Sequence, residues 1–140
     1  KRQQNIGIKN RKEWSGEVIG ITGSAGKTTI KELCSSILSQ KFIIHKNFGN
    51  YNNHIGLPIT LSELESEHEC LVAEIGMSKP GEIKLLSEWL KPNIAILSDL
   101  GLAHSANFNS LEHIVHEKCR LLEVLKKNDL AETKIKRLTT

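Results

Sequence analysis

The turn Gly23-Ser24-Ala25-Gly26-Lys27-Thr28-Thr29 constrains this chain more than any other stretch. It follows the apolar run Val18-Ile19-Gly20-Ile21 and precedes a segment with helical spacing. A strand, a glycine-rich turn and a helix N-terminus in succession make an anion site, because free backbone N–H groups and the helix dipole converge on one point. Lys27 adds a full positive charge there, and Thr28 supplies a hydroxyl where such loops hold Mg²⁺. All of Gly23, Ser24, Ala25, Gly26, Lys27, Thr28 and Thr29 therefore belong to a candidate phosphate cradle. The longer common pattern has a glycine five residues before the Gly-Lys pair; Ile21 stands there, so this is a shorter Gly-x-x-Gly-Lys-Thr-Thr loop.

Around that turn, apolar runs alternate with helical periodicity. Residues 17–22 read as a buried strand. Over 28–40, Ile30, Leu33, Cys34, Ile37 and Leu38 recur at i, i+3, i+4, i+7 and i+8, one face of a helix. Residues 42–45 suit a second short strand, 46–54 an Asn- and Gly-rich loop, and 56–64 a short helix with Pro58 in its first turn. Residues 70–75 are apolar but for Glu74. Pro80 opens a helix faced by Ile83, Leu86, Trp89 and Leu90; 93–98 is another strand, 99–109 a loop, and Ser110 caps a helix running to about Lys127. Residues 1–16 read as a polar lead-in or linker, 17–127 as the domain and 128–140 as a polar tail. The alternation predicts βαβ units, hence an α/β fold with a mostly parallel sheet flanked by helices. In such sheets ligands bind beyond the carboxyl ends of the strands, which singles out the loops 22–28, 46–54, 74–79 and 99–109.

A chain of 140 residues makes one domain at most. It opens on Lys1 rather than Met and reads as a piece of a longer protein. No apolar run approaches the roughly 20 residues that span a bilayer, and the basic start leads into polar residues, unlike a signal peptide; no membrane insertion is expected. The first twelve residues carry +5 and the last fifteen +3, so a chain of net charge +3 has an acidic body at −5. With few aromatics and an acidic body, the basic ends read as solvated tails and no nucleic acid is expected. Cys34, Cys70 and Cys119 lie in apolar patterns without ligand-like spacing, as small core hydrophobes of a protein in a reducing compartment.

Three polar groups break the apolar patterns. Glu74 ends a buried strand, where a carboxylate is costly unless compensated; it either pairs with a lysine or binds the Mg²⁺ that also takes the Thr28 hydroxyl. Lys118 lies within the stripe of Leu111, Ile114, Val115, Leu122 and Leu125. It either snorkels from a shallow stripe or marks a part of the helix that faces the site. His104 lies in the loop after the fourth strand, either solvated or as a metal or phosphate ligand. His113 and His116, opposite the stripe, read as solvated.

These residues resemble a known family. Gly23–Thr29 resembles the ATP loop of the Mur ligases. Gly49-Asn50-Tyr51-Asn52-Asn53-His54-Ile55-Gly56-Leu57-Pro58, Glu74-Ile75-Gly76-Met77 with Pro80-Gly81-Glu82-Ile83, and Gly101-Leu102-Ala103-His104 are similar, in that order, to motifs of its D-alanyl-D-alanine-adding branch. The resemblance implies a P-loop NTPase-like central ATP-binding domain, in truncated form. It implies an ATP- and Mg²⁺-dependent amide ligase of peptidoglycan precursor synthesis in the bacterial cytoplasm. UDP-N-acetylmuramoyl-tripeptide and D-alanyl-D-alanine would be the substrates, joined through an acyl phosphate. Carried over by residue, Lys27 would hold the β/γ-phosphates, Thr28 and Glu74 a first Mg²⁺, and His104 a second. Lys118 would be carbamylated and bind metal, and Asn53 would lie near the acyl phosphate. The family pattern is broken at Asp99-Leu100-Gly101 and at Ala106, which stands where an acidic residue is usual. Two other readings share the motifs: a non-catalytic remnant that at most binds nucleotide, and another Mur-type amide ligase. Thr28-Thr29 and the Asn-Asn-x-Ile-Gly loop speak against the second.

Overall fold

The computed structural model of the chain describes residues 1–100, 108, 110–125 and 130–133. The elements run α1 (Arg2–Glu13), β1 (Glu17–Thr22), α2 (Lys27–Leu38), β2 (Ile44–Lys46), α3 (Gly56–Ser62), β3 (Cys70–Glu74), α4 (Glu82–Leu90), β4 (Ile94–Leu97), α5 (Leu111–Cys119), a 3₁₀ segment (Arg120–Val124) and β5 (Leu130–Thr133). The five strands form one parallel sheet in the order β2-β3-β1-β4-β5. The strand that precedes the glycine turn is thus the central one, with β3 and β4 on its flanks.

Alternation along β1 builds two cores. Val18 joins Leu57, Leu61, Leu71, Ala73, Ile83, Leu86, Leu90 and Leu121 on one face, while Ile19 and Ile21 meet Cys70 and Val72 on the other, beneath Ile30, Cys34 and Leu38 of α2. Both faces are covered, which is why β1 and β3 read as continuous apolar runs rather than alternating ones. Gly20 lets α4 and the 3₁₀ segment come close: a Cβ there would lie 3.1–3.2 Å from Pro92, Leu90 and Leu121 side-chain atoms.

Four expectations change. Within residues 1–16, read above as a polar lead-in or linker, Arg2–Glu13 is helical and docks on α3 and α4. Its attachment is polar: Asn10 Nδ2 donates to the carbonyls of Leu61 (2.9 Å) and Leu64 (2.8 Å), and Arg11 Nε and Nη2 to those of Leu90 (2.7 Å) and Lys91 (2.8 Å). These are carbonyls left over at two helix C-termini, so the helix carries no apolar stripe to read. Residues 128–140 are not all tail, because Leu130–Thr133 extends the sheet beside β4. On α2 the period is right but the buried face is turned: Leu33 and Ile37 are exposed, while Lys31 and Ser35 are buried. The last helix is also shorter than expected, tightening into the 3₁₀ segment after Cys119; Ser110 caps it as predicted, its hydroxyl accepting from His113 N at 3.1 Å.

Candidate nucleotide site

The phosphate loop is fixed by what lies on either side of β1. Gly23 is forced by contact, since a Cβ there would sit 1.7 Å from Ser98 Oγ at the end of β4. Ser24 N donates to Asp99 O (2.6 Å), and Ser98 Oγ donates to Ala25 O (2.7 Å), so two bonds fasten the loop to the β4 exit. Gly26 adopts φ 80°, a left-handed conformation that turns the chain into α2. It is also the N-cap and offers no side-chain acceptor, so the amides at the head of α2 point outward without a side-chain cap. A Cβ at Gly26 would meet nothing within 4 Å, so the cradle is open on that side. Lys27 Nζ reaches back to Gly23 O at 2.9 Å, across the concavity a phosphate would fill. Partial burial lowers the pKa of Lys27, and the nearby Glu74 opposes that shift. Thr28 and Thr29 are exposed on the open side.

Glu74 ends β3 next to this loop and is buried. Asn47 grips its backbone, accepting from Glu74 N (3.0 Å) and donating to Glu74 O (2.9 Å). Asn52 Nδ2 donates to Glu74 Oε1 at 2.9 Å, and Gly76 N donates to Asn52 O at 2.8 Å. The Asn-rich loop is therefore tied to the end of β3 rather than hanging free. The second oxygen, Oε2, lies 3.4 Å from Lys31 Nζ and has no hydrogen-bond partner among the described residues. Glu74 thus has its lysine, but Oε2 meets it by charge alone and accepts no hydrogen bond among the described residues. An orphaned buried carboxylate oxygen beside a phosphate loop fits a hard divalent cation. Among the described residues no group of three His, Cys, Asp or Glu could cage a metal. A metal here would accordingly share its shell with phosphate oxygens, as Mg²⁺ commonly does.

Lys118 approaches the loop from α5. It is buried, with 1% of its surface exposed, and its Nζ donates to Ser24 Oγ at 2.5 Å. Burial, helped by the positive charge of Lys27 and opposed by Asp99, pushes its amine down to about 8. The structure therefore brings Lys27, Glu74 and Lys118 around one loop. Asn53 stands apart from them, exposed, with Oδ1 accepting from the amides of Ile55 (3.0 Å) and Gly56 (2.9 Å) at the start of α3. His104 lies outside the described residues. Sequence reasoning missed Lys31, Asn47, Asn52 and Ser98. Lys31 did carry a signal: it falls four residues after Lys27, beside the apolar positions of α2.

A parallel sheet in this order, with a glycine loop leaving its central strand into a helix, defines a phosphate-loop nucleotide-binding domain of the α/β class. The family profile described as the Mur ligase middle domain matches residues 21–136, and the chain belongs to that family. It is 39% identical over 128 residues to the UDP-N-acetylmuramoyl-tripeptide–D-alanyl-D-alanine ligase of Rickettsia prowazekii, covering 91% of this chain and 28% of that one. Its fold matches MurF of Acinetobacter baumannii with a TM-score of 0.90 at 33% identity, over 94% of this chain and 29% of that one. It also matches the MurF ligase of Thermotoga maritima, solved in complex with ADP, with a TM-score of 0.87 at 34% identity, over 94% and 31% of the two chains. The chain therefore spans less than a third of the length of these relatives.

Proposed function

We propose that this chain is the ATP- and Mg²⁺-binding segment of a cytoplasmic bacterial ligase that joins D-alanyl-D-alanine to UDP-N-acetylmuramoyl-tripeptide. The observation that carries the reading is the convergence of Lys27, Glu74 and Lys118 on the Gly23–Gly26 loop, in a chain whose relatives bear that ligase's name. The Thermotoga maritima relative was solved with ADP, which supports the loop as a nucleotide site. When bound, ATP with Mg²⁺ supplies the phosphoryl group that converts the tripeptide carboxylate into an acyl phosphate open to the dipeptide amine.

The residues divide the work. Lys27 exchanges the Gly23 carbonyl for the β/γ-phosphates, and the uncapped amides of α2 share that charge. Thr28 and Glu74 Oε2 would hold the metal, and Asn52 and Asn47 keep Glu74 from turning away. Lys118 is carbamylated: its neutral amine attacks CO₂, an N–C bond forms, a proton leaves, and the resulting anion can bind metal. A buried amine near 8 supports this, because far more of it is neutral at pH 7 than of an ordinary lysine. His104 would contribute to a second metal and Asn53 would lie near the acyl phosphate, as the family pattern implies.

The test has two parts. ADP binding by the chain, followed by calorimetry with and without Mg²⁺, should be detectable and should vanish in Lys27→Ala. Ligation of the two substrates should be seen in the full-length protein and be weak or absent in the 140 residues by themselves. A folded chain that ignores ADP at millimolar concentration would remove the basis for the reading.

A further inference from the structure

Lys31 is a fully buried lysine to which the phosphate chemistry gives no task. It sits one helical turn after Lys27 on α2, with Nζ 3.4 Å from Glu74 Oε2 and 3.8 Å from Glu32 Oε1. An ammonium has three protons to donate, yet neither Lys31 Nζ nor Glu74 Oε2 has a hydrogen-bond partner among the described residues. The pair is held by charge and not by a formed hydrogen bond. Burying such a pair brings little stability, because desolvation cancels most of the attraction. The carboxylate cannot swing toward the lysine to improve the geometry: Asn52 holds Oε1 and Asn47 holds the backbone on both sides.

We propose that Lys31 is a positioning residue that makes metal capture at Glu74 conditional on nucleotide. The inference rests on the reading of Glu74 as a metal ligand. A divalent ion must come within about 2.1 Å of a carboxylate oxygen. At Oε2 it meets a dry ammonium that cannot leave, and in a partly buried site like charges repel several-fold more strongly than in water. Phosphate groups in the Gly23–Gly26 loop bring the negative charge that offsets both cations. Metal therefore enters with nucleotide, and the empty loop does not collect it. A lysine that only helped α2 to pack would have no such effect.

Mn²⁺ binding to the full chain in the absence of nucleotide, read from the electron paramagnetic resonance of the free ion, tests this. The wild type should bind Mn²⁺ only weakly, in the millimolar range. Lys31→Met should bind at least ten-fold more tightly, and Lys31→Arg should match the wild type. Adding Glu74→Gln to Lys31→Met should abolish the gain. A folded Lys31→Met protein with wild-type affinity would overturn the role of Lys31. A gain that survives Glu74→Gln would instead overturn Glu74 as the ligand, so the two failures are distinct. Should Lys31→Met not fold, Lys31→Gln carries the same expectation. Micromolar Mn²⁺ binding by the nucleotide-free wild type would overturn the proposal without any variant.

Discussion

Lys118 on α5 donates a hydrogen bond to the hydroxyl of Ser24 in the phosphate loop, joining residues 94 positions apart at 2.5 Å. The contact ties the C-terminal turn of α5 to the loop that leaves the central strand. It also places a second cation next to Lys27, whose charge helps push the Lys118 amine down. Two lysines and a buried carboxylate flank the loop, as the proposed phosphate and metal site requires, and burying those charges costs stability.

The cost has a definite pH dependence. The Lys118 amine lies at about 8 in the folded protein against 10.5 for an ordinary lysine. The folded state therefore disfavours the charged form, and the penalty is complete below pH 8. Between pH 8 and 10.5 the unfolded chain still binds the proton that the folded one has released, so stability attributable to this group rises with pH. Replacing Lys118 with Met should raise the unfolding free energy at pH 7 by up to about 3 kcal/mol. The gain should shrink toward pH 10. Denaturant titrations of the two proteins at pH 7 and 9.5 measure it, and an equal difference at both values would contradict the assignment.

Much of this was readable from residue pattern. The phosphate loop, the first four strands and Glu74 as an anomaly all follow from apolar runs bounded by Gly, Asn and Pro. What escaped was set by partners distant in sequence. Lys31 is buried because Glu74 is there to receive it, so the apolar pair Leu33 and Ile37 yields the inner face of α2 to a charged residue. Residues 2–13 are helical because Asn10 and Arg11 serve carbonyls some 51 to 80 positions away, a bond pattern invisible to periodicity. Leu130–Thr133, with a single large apolar residue, is a strand only because β4 offers an edge.

The two loop glycines should respond differently to alanine. At Gly26 the added methyl meets open space, so only the left-handed φ of 80° is penalised; Gly26→Ala should cost about 1–2 kcal/mol. At Gly23 the methyl would collide with Ser98 Oγ, placed 1.7 Å away, and would push apart the β1 and β4 exits. Gly23→Ala should cost at least about 3 kcal/mol, as overpacking at a rigid site does. Comparison of the two midpoints in urea decides it, and equal losses would mean that the β4 exit yields easily.

The polar clasp of α1 predicts a helix that unfastens when one residue is cut. Asn10→Ala removes the side-chain donor to the Leu61 and Leu64 carbonyls, of which Leu61 O keeps, among the described residues, only a long bond from Leu64 N (3.4 Å) and the cap contact from Glu63 N. The loss should be about 1–3 kcal/mol. Amide exchange should speed up across residues 2–13 before it does in β1 or β3. Uniform acceleration throughout the sheet would instead mean that α1 and the core open as one unit.

The proposed carbamylation of Lys118 can be tested chemically in the full-length protein. Lys118→Ala removes the amine and leaves a gap beside Ser24, with no anion to complete a metal shell. Ligation should fall by roughly 10²–10³-fold, the scale of losing one preorganised electrostatic contact. A short carboxylate such as acetate can enter that gap and supply the missing anion, so activity should return in part as acetate is added. Formate should rescue as well, whereas chloride at the same ionic strength should not. For the unaltered protein, ¹³C-labelled CO₂ should give a carbamate resonance that grows as pH passes through 8, because only the neutral amine reacts. Full ligation by Lys118→Ala without any additive would refute the carbamate and leave Lys118 as a structural tie to the loop.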